Sequence, residues 1–188
     1  MPQLQKAKHL IGRSLVLRNA TVADAGFILS LRTDRSKSKY LSYTPPEIEK
    51  QIKWLENYAT KSDQAYFIIE DKFGGEIGVV RLYDQRGDSF CWGSWILKNN
   101  APQSAAIESA LIIYAYAISH LGFNQAHFDV RKDNKKVWQF HERFGAMRIG
   151  ETADDYLYQI GLKDITASLR RYKKFLPGPI VVVNYDES

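Results

Sequence analysis

Residues 103–121 carry apolar side chains on most sides of a helix, and on both flanks of that run the hydrophobic period drops to two. Ile107, Leu111, Tyr114, Ile118 and Leu121 form one stripe, and Ala106, Ala110, Ile113 and Ala117 form a second. A helix so short of polar faces has to be covered, and alternating segments on either side supply a sheet to cover it. Residues 14–18 start extended. The period-two runs 65–70, 76–83 and 89–97 follow, separated by Phe73-Gly74-Gly75 and Gln85-Arg86-Gly87-Asp88, which place glycine where a hairpin needs positive φ. Those runs predict an antiparallel meander. After the long helix, residues 126–131 read as a fifth strand, 135–144 as an amphipathic helix stopped by Gly145, and 147–160 as a sixth strand or hairpin. The order predicts a mixed α/β class with one parallel crossover in its second half.

Two helices are expected before the meander. Thr21-Val22-Ala23-Asp24 offers an N-cap with an acid three residues on, followed by Phe27, Ile28 and Leu31. Thr44-Pro45-Pro46-Glu47 offers a capping box with Pro45 at the first helical position, followed by Ile48, Ile52, Leu55 and Ala59. Towards the C-terminus, Ile165, Leu169, Tyr172 and Leu176 continue a helical stripe through 162–176, ended by Pro177-Gly178-Pro179 before a β-prone stretch at 180–185. Five basic residues against Asp164 place +4 of the chain's +5 net charge in residues 163–174. This segment reads as a docked helix with a solvated basic face, and the near-neutral remainder makes nucleic acid an unexpected partner. Residues 1–161 are read as one domain, with 162–188 as a basic helix and short strand packed on it.

The length of 188 residues suits one core, and 45% hydrophobic residues exclude a mainly disordered chain. The most apolar run, 110–118, is far shorter than the ~20 residues that span a bilayer. Lys6 and Lys8 near the start are not followed by the apolar region of a secretory signal, and the lone Cys91 can form no internal disulfide. A cytoplasmic location without membrane contact is expected, as a monomer or homodimer.

The most specific pattern lies between residues 93 and 145. Val130-Arg131-Lys132-Asp133-Asn134 ends the fifth strand, and Trp138-Gln139-Phe140-His141-Glu142-Arg143-Phe144-Gly145-Ala146 ends the next helix. Over about residues 14–161 the chain resembles the GNAT-type acetyl-CoA-dependent N-acetyltransferases, especially their ribosomal-protein- and amino-sugar-acetylating branches. The resemblance implies a mixed, mostly antiparallel central sheet, splayed between its fourth and fifth strands and flanked by helices. It also implies acetyl-CoA as acetyl-donor cosubstrate and no metal. The family's glycine-rich pyrophosphate loop corresponds to Ala101-Pro102-Gln103-Ser104-Ala105-Ala106, where Ser104 replaces the first glycine and Pro102 removes one N–H. Ser104, Ala105 and Ala106 are thus cofactor-binding candidates, with Trp95 and Ile96 on the splayed strand, Asn134 after the fifth strand, and Lys136 in a basic turn. Asn134 is equally suited to cap the following helix, and that basic turn to plain solvation.

His141 stands where the family places a proton-donating tyrosine for the departing thiolate, a task an imidazole can perform near neutral pH. It also reads as a structural helix residue four positions after Val137. Asp129 matches the carboxylate that takes the amine proton in the ribosomal-protein branch, and also reads as a strand carboxylate paired with Arg131 or a lysine. Tyr40, Tyr43, Tyr83, Trp92 and Ser94 supply aromatic planes and hydroxyls that suit a sugar or a core. The expected reaction is direct transfer from acetyl-CoA to a primary amine of a small molecule such as an amino sugar, because no base accompanies Cys91 to make it a nucleophile. A protein N-terminal acetyltransferase and a non-catalytic GNAT-like binding module are the alternatives.

Overall fold

Among the described residues, nine strands share one sheet in the order β7-β8-β6-β5-β4-β3-β2-β1-β9. They are β1 (His9–Ile11), β2 (Leu15–Asn19), β3 (Ala65–Asp71), β4 (Glu76–Arg86), β5 (Ser89–Leu97), β6 (Gln125–Arg131), β7 (Met147–Glu151), β8 (Asp155–Gly161) and β9 (Val181–Val183). The helices are α1 (Ala25–Arg32), α2 (Arg35–Ser38), α3 (Ile48–Thr60), α4 (Ser104–Ala115), α5 (Lys135–Phe144) and α6 (Leu162–Arg171). This computed structural model describes residues 1–186; residues 187–188, the end of the expected C-terminal segment, lie outside the described residues. Every pairing is antiparallel except β5 with β6. No helix among the described residues is long and apolar enough to cross a membrane.

Helices cover both faces. On one face α4 is buried, with Leu111, Ile112 and Ile113 all at 0% exposure, and α5 and α6 flank it. On the other, α1 and α3 cover Tyr66, Ile68, Val79 and Ile96 through Ile28, Leu31, Leu55 and Tyr58. The helical run of α4 continues through a π-helical turn, Tyr116–His120, close to its predicted end. Glu108, buried within α4, accepts from the amides of Ser14 and Leu15, both at 2.8 Å, and so ties the helix to the start of β2. A buried carboxylate is tolerable here because backbone donors replace its lost water.

Four differences from the sequence reading have local causes. His9–Ile11 forms an extra strand at the front, so the expected fourth and fifth strands are β5 and β6. Asp34, accepting from Ser36 N, opens the additional short helix α2. The capping box at Thr44 does not form, and α3 begins at Ile48 behind Glu47. Pro46 explains this: a residue preceding proline is pushed out of the helical region, so Pro45 cannot open a helix. Finally, α6 stops at Arg171, and Tyr172 and Leu176 reach the core through turns instead of a continued helix. The β-prone stretch becomes β9, which pairs with β1 of the same chain, Ile11 opposite Val181.

Candidate active site

The β5–β6 pair is joined only at one end. Ser89, Phe90 and Cys91 lie opposite Gln125, Ala126 and His127, and from Trp92 onward the two strands separate. β5 stays paired with β4 and β6 with β8, so the separation opens a cleft instead of fraying a strand. Within the open part β5 is bulged. Arg81 lies opposite Gly93 and Val79 opposite Ile96, so Ser94 and Trp95 together face the single residue Val80. Ser94 takes φ 45°, a left-handed conformation that costs a non-glycine residue about 1–3 kcal/mol. The bulge shifts the alternation of the strand. Trp92 and Trp95 now share the α4 face with ring centroids 5.1 Å apart, and Ile96 turns to the α1/α3 face.

The cleft has a volume of about 240 Å³. Of the residues singled out from the sequence, Tyr40, Tyr83, Trp92, Ser94, Trp95, Asp129, Asn134 and His141 line it together. Others lie elsewhere. Ile96 is buried beneath α1 and α3 with its side chain away from the cleft, and Tyr43 is 84% exposed outside the lining. Lys136 is exposed in the first turn of α5. Ser104, Ala105 and Ala106 form the first turn of α4, which has no side-chain cap; the buried Ala105 amide donates to the Pro102 carbonyl at 2.9 Å, so the turn is only partly free to meet an anion.

His141 is enclosed by aromatic rings. Its ring centroid lies 4.1 Å from Phe128, 5.2 Å from Trp92, 5.8 Å from Phe140 and 6.0 Å from Trp95. Burial among these rings pulls its pKa down to about 3, and its Nδ1 has no hydrogen-bond partner. This corrects the expectation of an imidazole titrating near neutrality: at pH 7 the ring is neutral and can offer a hydrogen bond but no positive charge. Asp129 is exposed on the opposite edge of the cleft. The pairing with Arg131 or a lysine does not occur among the described residues; Arg131 turns instead to Asp155 at 3.5 Å and Asp154 at 3.8 Å. Asn134 opens α5 without a side-chain cap bond, which leaves its amide free beside the cleft. Burial pushes the Cys91 thiol up to about 12, far from a thiolate at neutral pH.

Two charged cleft residues, Arg32 and Asp155, were not found from the sequence. Arg32, at the end of α1, donates from Nε to Thr44 Oγ1 at 2.7 Å, from Nη1 to Ser94 Oγ at 3.3 Å and from Nη2 to Ser42 Oγ at 3.1 Å. The only signal in the sequence is an arginine with no acid three or four residues away on its helix. Asp155, in the β7–β8 hairpin, carried no signal. Burial raises its pKa despite Arg131, and the nearby Asp129 charge adds to the rise.

The sequence model of the acetyltransferase (GNAT) domain matches residues 14–147. The chain belongs to the GNAT acetyltransferase family. Apo FdhC, a nucleotide-linked sugar GNAT, is 36% identical with a TM-score of 0.79, covering 94% of this chain and 99% of that one. A GCN5-related N-acetyltransferase from Brucella melitensis shares the fold at 18% identity, TM-score 0.76, covering 94% of this chain and 89% of that one. So does the spermidine N-acetyltransferase from Vibrio cholerae in complex with CoA and spermine, at 17% identity and TM-score 0.72, covering 81% and 98%. No curated protein matches. Acetyl-CoA is the family's donor, and this GNAT acetyltransferase has features that fit it: a strand edge freed by the splay, an uncapped α4 N-terminus and an orphaned imidazole nitrogen in the cleft. No group of three or more His, Cys, Asp or Glu side chains that could hold a metal ion occurs among the described residues.

Proposed function

We propose that this GNAT acetyltransferase transfers the acetyl group of acetyl-CoA directly to the primary amine of a small molecule, an amino sugar. The observation that carries the reading is the unpaired Asp129 carboxylate facing the splay across from the aromatic wall around His141. The likeness to a nucleotide-linked sugar GNAT over nearly the whole chain supports a sugar acceptor.

Acetyl-CoA supplies a thioester carbonyl open to attack by an amine. The backbone edge of β5 beyond Trp92, unpaired towards β6, would hold the pantetheine arm, with Asn134 beside it. The first turn of α4, residues 104–106, would receive the pyrophosphate, small side chains allowing close approach and the helix N-terminus favouring negative charge. Asp129 takes a proton from the acceptor ammonium, which frees the nitrogen lone pair for attack, and the second proton leaves to solvent as the amide forms. His141, neutral, presents a ring N–H as a hydrogen-bond donor towards the leaving sulfur; its part is to stabilise developing charge, and the thiolate draws its proton from solvent. Cys91 takes no part, since a buried thiol with a pKa of about 12 is no nucleophile at pH 7.

The test is acetyl-CoA consumption by the purified protein with amino sugars, free and nucleotide-linked, spermidine and peptide N-termini as acceptors. Turnover confined to the sugars is the expected result. Preference for peptide N-termini would assign protein acetylation instead. Absence of turnover together with absence of thermal stabilisation by acetyl-CoA would make the chain a binding module.

A further inference from the structure

The charges of the cleft do not balance locally. Four charged side chains line it: Arg32, Asp129, Arg131 and Asp155. Arg131 and Asp155 face each other at 3.5 Å. Arg32 and Asp129 have no oppositely charged partner among the described residues. The Arg32 guanidinium is held by neutral oxygens, those of Thr44, Ser94 and Ser42, which fix its orientation without compensating its charge. Arg81 stands near it in the same state. Its Nε donates to Gln64 Oε1 at 2.8 Å, and its guanidinium lies over the Tyr83 ring at 4.4 Å. Burial lowers the Arg81 pKa, and the Arg32 charge adds to the lowering. Two neighbouring guanidinium groups without a carboxylate are an unfavourable arrangement that a bound anion relieves.

We propose that Arg32, seated on Ser42, Thr44 and Ser94, is a specificity residue that binds a phosphate or diphosphate group of the acceptor, whose amine meanwhile lies at Asp129. The inference rests on the amino-sugar reading and narrows it. The acceptor carries a cationic amine and an anionic group on one molecule, as a phosphorylated or nucleotide-linked amino sugar does. A polycation such as spermidine meets an unbalanced arginine where it would need a carboxylate, and is disfavoured. Ser94 links this station to the rest of the site. The left-handed residue of the β5 bulge supplies one of the oxygens that orient Arg32, so the distortion that separates β5 from β6 also sets the anion position.

The test compares the wild type with Arg32→Gln and Arg32→Lys, using an amino sugar carried on a nucleoside diphosphate and the same amino sugar free. The preference for the linked acceptor, as a ratio of kcat/KM values, should fall by about tenfold to a hundredfold in Arg32→Gln, mainly through KM, as expected for loss of a charge-assisted contact. Arg32→Lys should restore part of it. Equal losses with both acceptors would overturn the proposal and make Arg32 a support for the 42–44 loop. An independent arm measures pyrophosphate binding by calorimetry with CoA saturating, which needs no turnover. Binding that weakens in Arg32→Gln by the same factor supports the anion site even if no amino sugar is acetylated, in which case the acceptor reading alone falls. Equal pyrophosphate affinity in wild type and Arg32→Gln would overturn the anion site whatever the acceptor.

Discussion

The two walls of the cleft belong to one strand pair and treat charge in opposite ways. On the α4/α5 side, Trp92, Trp95, Phe128 and Phe140 surround His141 and hold it neutral. The nearby Tyr114 hydroxyl, buried and accepting from Trp92 Nε1 at 3.1 Å, has its pKa raised by the same burial. On the α1 side, the Arg32 guanidinium is half-exposed and donates to a set of hydroxyl acceptors. A thioester is neutral and needs alignment, which a dry, rigid wall provides; an acceptor amine has to be chosen among many, which charge does well. A one-residue bulge in β5 creates the asymmetry, because it brings both tryptophans to one face and turns Ser94 to the other.

The contrast is most exposed to test at Asp129, a cleft carboxylate with no cationic partner among the described residues. Asp129→Asn should lower kcat/KM for the amine by about 10²–10⁴, the usual worth of a positioned base, with partial recovery at higher pH as the amine deprotonates in solution. A rate within twofold of wild type would return Asp129 to the surface and dissolve the division between the walls.

His141 tests the dry wall. In the folded chain it titrates near 3 and in the unfolded chain near its ordinary 6.5, so as pH falls the unfolded state takes up the proton first. Stability that is complete above pH 6.5 should therefore drain away between pH 6.5 and 3, by several kcal/mol for this one group, on the order of one and a half per pH unit. His141→Gln should flatten that slope in thermal unfolding followed across the same range. A slope identical to wild type would mean that water reaches the ring. The smallest effect is expected at Cys91: Cys91→Ala should change kcat by less than about twofold, and initial-rate patterns should remain those of a ternary complex. Parallel lines in a double-reciprocal plot would contradict direct transfer.

The elements that position the cleft were largely legible in the sequence because each is announced locally. The two-sided apolar helix 103–121, the strand ends around Asn134 and the glycine stop at Gly145, which takes φ 107°, all act through neighbours in the chain. Asp129, His141 and Asn134 were found through the family resemblance carried by the 130–146 motif. The protonation of His141 was not, since the rings that enclose it come from β5, β6 and α5 and meet only in three dimensions. Arg32 was missed for the same reason. Its partners Ser42, Thr44 and Ser94 are brought to it partly by the Pro45-Pro46 pair, which keeps Thr44 out of α3 and leaves its hydroxyl free to accept.

The pairing of β1 with β9 has a consequence for how the chain is made. Ile11 leaves the ribosome early, and its partner Val181 follows about 170 residues later. Until then the outer edge of β1 has its backbone donors and acceptors bare, the kind of edge that recruits strands from other chains. The nascent protein therefore has a sticky margin for most of its synthesis, and the short run of three valines then covers β1, leaving a three-residue strand as the edge of the sheet.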